Sequence, residues 1–151
     1  MYEVRSWLFI GNYRETTDQR WLDQHHIGAL LHLADRVEPL GIVTLYLPVD
    51  DGEPLPQNAL EQGIRFIRKQ KAAGHRVLVA CGAGISRSVT FAIATLKEEE
   101  GLNLMDGYRA IWQVHPEAMP HPALWQSLNQ FYGDPTSFLD LLEQVQLWQE
   151  A

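Results

Sequence analysis

The stretch that most constrains the fold is residues 76–100, where the apolar run RVLVA passes through CGAGIS into a second apolar run that turns acidic at Glu98 to Glu100. A run such as RVLVA has no polar alternation, which suits a strand buried on both faces. Beyond the loop, Val89, Phe91, Ile93 and Leu96 lie in a stretch free of glycine and proline, as a helix requires, and Gly101 supplies its stop. A strand that feeds a helix through so short a loop points to α/β layers rather than an all-helical or all-β chain.

The rest of the chain repeats the alternation. Apolar runs at 4–10, 28–33 and 42–49 read as further strands, with a Gly11-Asn12 turn after the first. Helical periods follow at 17–25, 56–71, 104–114, 122–131 and 136–149; in the second, Leu60, Ile64 and Ile67 fall at i, i+4 and i+7. In the last, Phe138, Leu141, Leu142, Val145 and Trp148 form a stripe read as core packing. The segment DDGEPLP at 50–56 cannot sustain either element and is read as an exposed, restrained loop. With 151 residues and neither repeat nor linker, the expectation is one α/β domain. Its central, mostly parallel sheet is flanked by helices, and 133–151 forms a C-terminal helical extension.

Charge narrows the partners. The net charge is -7, and from Glu98 onward nine acids face a single base, Arg109, leaving the first 97 residues near neutral. Broad nucleic-acid binding is excluded for want of a basic face, while an anionic ligand is repelled least by the first two thirds. No apolar stretch is long enough to span a bilayer, and the start MYEVRSWLFIG lacks the pattern of a secretory signal. The single cysteine, Cys81, forbids an internal disulfide and fits a reducing compartment, so a cytoplasmic location is expected, with neither nucleic acid nor membrane as partner.

Cys81 opens the loop that carries the chemistry. Small residues at Gly82, Ala83 and Gly84 let the backbone curl so that the amides of 82–87, through Ile85 and Ser86, face one concavity at a helix N-terminus. A phosphate-sized anion fits such a nest. Arg87 adds a fork to two phosphoryl oxygens, and the same positive groups favour the Cys81 thiolate. Ser88 is placed to donate to the sulfur and ease its departure from a phosphocysteine. The acidic loop offers Asp50 and Asp51 as proton donors.

The run VLVACGAGISRSVTFAIATL resembles the signature of the cysteine-based dual-specificity protein phosphatases, within the protein tyrosine phosphatase superfamily. The likeness extends over residues 3–132, through WLFIG, LYLPVDDGEP, GIRFI and DGYRAIWQVHPEAMPHPALWQSL. It implies Cys81 as nucleophile, the 82–87 amides and Arg87 as phosphate ligands, and Ser88 as an aid to hydrolysis of the intermediate. Asp51, the last acid of a V-x-D motif, is the implied general acid. It also implies phosphotyrosine, phosphoserine or phosphothreonine substrates and no cofactor or metal. No lysine stands between Gly82 and Ser86, which argues against a polyanionic lipid head group.

Three departures bear on activity. The residue before the nucleophile, histidine in the superfamily, is Ala80, which implies a less acidic thiol. The family's Arg-Pro and Pro-Asn pairs appear as His115-Pro116 and Pro120-His121, which puts the support of the loop in question. The six histidines show no metal-ligand pattern and are read as surface or core residues. Competing readings are a pseudophosphatase that binds phosphorylated partners without turnover, a phosphatase of some non-protein monoester, a rhodanese-like sulfur transferase, and the low-molecular-weight phosphatases and arsenate reductases that share the C-x5-R spacing.

Overall fold

All 151 residues are described by a computed structural model. In chain order the elements are β1 (Tyr2–Arg5), β2 (Leu8–Asn12), α1 (Tyr13–Thr16), α2 (Gln19–Gln24), β3 (Ile27–His32) and β4 (Val43–Tyr46). They continue with α3 (Gln57–Ala72), β5 (Arg76–Cys81), α4 (Arg87–Glu100), α5 (Leu104–Trp112), α6 (Pro122–Tyr132) and α7 (Phe138–Glu150). The sheet order is β1-β2-β5-β3-β4. β5 lies in the middle, parallel to β2 and β3; β4 is parallel to β3, and only β1 runs antiparallel.

The unalternating pattern of RVLVA follows from that central place. Val77, Val79 and Cys81 face a 29-residue core shared with α3 to α7, while Leu78 and Ala80 join Phe9, Leu22, Ile27 and Leu30 beneath α1 and α2. Each fully buried Val or Leu contributes about 1.5–3 kcal/mol. Gly101, at φ 70°, ends α4 in the left-handed conformation. No helix is long and apolar enough to cross a membrane.

Residues 4–10 are not one strand. Val4 is the only buried residue of β1, whereas Leu8 to Gly11 are all buried, so the first segment suits a half-exposed edge and the second an interior position. The chain reverses at Ser6-Trp7 to give each its place. Gly11-Asn12 is not a turn either: it ends β2, and Asn12 caps α1 through a reciprocal pair of bonds with Glu15. The helix expected at 17–25 is α2, started by Asp18, which accepts from the Trp21 amide; a separate short helix that the sequence reading lacked, α1, precedes it. The strand expected at 42–49 narrows to Val43–Tyr46, a partly exposed edge.

In α7, Leu141 and Val145 are buried and Phe138 and Trp148 pack against the core. Leu142 instead is 43% exposed, one step round the helix from Leu141 on the side that carries Leu139. Trp148 stacks on Tyr108 at 6.0 Å and meets Trp112 at 5.2 Å, and the Trp125 indole donates to the Thr136 carbonyl at 2.9 Å.

Candidate active site

The C-terminal ends of parallel strands are where open α/β sheets place their ligands, and β5 ends at Cys81. The following loop is bent back by Gly84, at φ +72°; a Cβ there would also stand 2.8 Å from the Gly11 carbonyl oxygen, so strain and clash both require glycine.

Four of the five carbonyls of residues 82–86, all but that of Ala83, are engaged. Gly82 O accepts from the Tyr13 amide at 3.2 Å and Ile85 O from the Met119 amide at 2.9 Å. Gly84 O accepts from His115 Nε2 at 2.9 Å, and Ser86 O from both the amide and the hydroxyl of Thr90. The amides of 82–86 donate to no group of the chain. A peptide unit whose oxygen is held outward turns its N–H inward, so the arrangement leaves an array of free donors, an anion-binding nest.

The helix that follows is left open in the same way. Ser86 is the N-cap of α4 yet makes no capping bond with its side chain. Its hydroxyl donates instead to Asp51 Oδ1 at 2.7 Å and accepts from the His121 amide at 2.8 Å. The first amides of a 14-residue helix, with the positive end of its dipole, thus remain available to an anion.

Cys81 lies at the floor of this nest, 3% exposed, with its Sγ 3.2 Å from the Ser88 hydroxyl. Arg87 donates from Nη1 to the Val49 carbonyl at 3.2 Å. Its Nη2 lies over Gly82, 3.2 Å from where a Cβ would stand, so the guanidinium curls across the loop. The acidic loop is pinned at both ends by buried Val49 and Leu55, the latter's amide donating to Ser127 Oγ at 2.9 Å. Asp50 and Asp51 are both exposed, but only Asp51 is bonded to the loop that follows Cys81. The structure therefore brings together Cys81, Arg87, Ser88, Asp51 and the 82–86 backbone.

Two residues set aside by sequence reasoning belong here. His115 is 2% exposed and holds Gly84 O, its ring stacked on Tyr2 with centroids 3.7 Å apart. His121 places its amide on Ser86, and its ring lies against Gly52 in the acidic loop. The loop is supported despite the altered pairs, and these histidines are neither mere surface nor mere core. The paired Pro residues beside each histidine were the only signal. A surface groove of about 870 Å³ beside Ile64, Arg68 and Phe131 is lined by no cysteine, serine or threonine.

The comparisons with known proteins agree with this geometry. The dual specificity phosphatase catalytic-domain model matches residues 8–134. The zebrafish (Danio rerio) dual specificity protein phosphatase 22-B is 28% identical over 141 residues, which cover 91% of this chain and 77% of that protein. The mouse (Mus musculus) dual specificity protein phosphatase 15 is 31% identical over 134 residues, 87% of this chain and 57% of the longer relative. The crystal structure of DUSP15 superposes with a TM-score of 0.81 at 30% identity, covering 97% of this chain and 94% of that one. A buried cysteine beneath an open nest, within a fold and sequence shared over most of the chain, places this protein in the dual-specificity protein phosphatase family.

Proposed function

We propose that the chain hydrolyses phosphotyrosine and phosphoserine or phosphothreonine monoesters of proteins through a phosphocysteine intermediate. The observation that carries this reading is the single bonded constellation of Cys81 at the floor, free amides around it, Arg87 across it and Asp51 at its rim. The Cys81 thiolate attacks phosphorus and forms the S–P bond as the ester P–O bond breaks. The loop amides and the Arg87 fork hold the equatorial oxygens, where negative charge gathers. Asp51 gives its proton to the departing oxygen, and as carboxylate then takes one from the attacking water. When water cleaves the S–P bond, the Ser88 hydroxyl, already 3.2 Å from Sγ, stabilises the returning thiolate.

The absence of lysine from Gly82 to Ser86 supports a protein substrate over a polyanionic lipid. Because Cys81 must remain a free thiol, we place the activity in a reducing compartment, the cytoplasm.

The test is hydrolysis of para-nitrophenyl phosphate in chelator from about pH 5 to 9, for the native chain, Cys81→Ser and Asp51→Ala. Abolition by Cys81→Ser with a fall of about tenfold for Asp51→Ala, below the about 10²–10⁴ usual for general acid catalysis because para-nitrophenolate leaves readily, supports the mechanism. A native chain that binds phosphopeptide without turnover would replace it with a binding module.

A further inference from the structure

β3 and β5 pair in parallel with His32 beside Ala80, so the two side chains share a face, the one covered by α1 and α2. His32 is 2% exposed. The Val37 amide donates to its Nδ1 at 3.1 Å. A backbone amide can only donate, so Nδ1 of the neutral ring is the acceptor and the proton resides on Nε2. Nδ1 also lies 3.2 Å from the Asp35 carbonyl, a bond it could donate only by giving up the one from Val37. Burial favours the neutral ring, holding the His32 pKa below the ordinary histidine value.

The Nε2–H so defined is buried and has no partner in the chain. A buried N–H without a partner costs about 1–3 kcal/mol and asks for a reason. His32 borders a small cavity of about 10 Å³ whose other walls include Tyr13, Thr16, Ala80 and Cys81. That volume is what one water fills. The side chain of Cys81 points to the opposite face of the sheet, toward Ser88, so the cavity meets the nucleophile from behind. The small side chain of Ala80 leaves this space open.

We propose that His32 is a positioning residue for the nucleophile. Its Nε2–H, across a cavity one water wide, turns the positive end of its dipole on the strand end that carries Cys81 and so favours the thiolate. The inference rests on Cys81 being the nucleophile of the proposed reaction. The other charged and titratable groups near the ring are Arg36 and Glu38 of the loop after β3, together with Asp35, Tyr13 of α1 and Tyr46 of β4. Arg36 and Glu38 pair with each other at the surface and largely cancel.

The readout is the rate at which iodoacetamide alkylates Cys81 as a function of pH, which reports the thiolate whether or not the protein turns over substrate. Three variants are compared with the native chain, each checked for folding by circular dichroism: His32→Leu, His32→Gln, and the exchange His32→Ala with Ala80→His. In His32→Leu, alkylation at about pH 6 slows about three- to tenfold, since one unit in the thiol midpoint is tenfold in thiolate. His32→Gln, which retains a terminal donor, recovers part of the loss, and the exchange variant recovers most by restoring an imidazole to the same cavity. A folded His32→Leu whose alkylation profile coincides with the native one overturns the proposal, even if stability falls, as does a folded His32→Gln or exchange variant that recovers none of the loss. Loss of para-nitrophenyl phosphate turnover in all chains, with the alkylation shift intact, would count against the phosphatase reading alone.

Discussion

The Ser86 hydroxyl donates to Asp51 Oδ1 at 2.7 Å, joining the loop after Cys81 to the acidic loop across 35 positions of sequence. The same oxygen takes the His121 amide, so one hydroxyl fixes three segments. In Ser86→Ala the proposed acid loses its tether. Turnover of phenyl phosphate, whose leaving group needs the proton, is expected to fall about tenfold or more. Para-nitrophenyl phosphate should suffer less. Equal losses on the two esters would dissociate Ser86 from the acid.

Gly84 combines a left-handed backbone with a 2.8 Å approach to Gly11 O. Gly84→Ala should cost about 1–3 kcal/mol in the unfolding free energy and re-aim the loop amides. Orthovanadate, which mimics the five-coordinate phosphorus, is expected to bind far more weakly, measured as an inhibition constant. Native affinity in the variant would show that the loop geometry does not depend on this residue.

His115 is the only side chain holding the Gly84 carbonyl. His115→Leu leaves that buried oxygen without its donor, a loss of about 1–3 kcal/mol by denaturant titration. Inorganic phosphate should inhibit the variant several-fold less well, because the nest is no longer held open. An unchanged phosphate inhibition constant would confine His115 to stability.

Glu99 is held below the usual carboxylate range by hydrogen bonds from Lys71 and Arg68, each at 2.7 Å. Because its folded value is depressed, the pairing stabilises above the ordinary glutamate range and is lost as pH falls through the lower, folded value. Partial exposure of Arg68 and Lys71 limits the effect to about 0.5–1 kcal/mol. Glu99→Gln should therefore be less stable than native at neutral pH, with the difference shrinking as the pH falls below the usual glutamate range, read from urea midpoints. A difference that persists in acid would point to packing instead.

Leu141 is fully buried in α7 and belongs to the main core. Leu141→Ala should cost about 2–5 kcal/mol in urea unfolding, as for other core truncations. A loss below about 0.5 kcal/mol, the size of an ordinary surface substitution, would make α7 an appendage rather than a wall of the core.

The strand, loop and helix around Cys81 were legible because their signals are local: RVLVA has no polar side, glycines allow the bend, and Gly101 stops the helix. Asp51 was singled out as the last acid of the V-x-D motif that the family resemblance implies, whereas the structure separates it from Asp50 by the bond to Ser86. What escaped sequence reading depended on pairing at a distance. The reversal at Ser6-Trp7 has no Gly, Pro or Asn to announce it, and its sense comes from β5, some seventy residues on. His115 and His121 looked like lost residues because their partners, Gly84 and Ser86, lie 31 and 35 positions away. Leu142 matched the apolar stripe in composition but sits on the rim of its helix.

The uncapped start of α4 couples the enzyme's economy of phosphate to its own conformational stability. On the proposed reaction an oxyanion completes that helix start, so inorganic phosphate, the product of each turnover, is expected to act as a ligand of the native state alone. The protein's melting temperature then rises with phosphate concentration according to the logarithm of site occupancy. The protein is thereby most resistant to unfolding and proteolysis where phosphate is abundant, and most exposed to both in its resting, empty state.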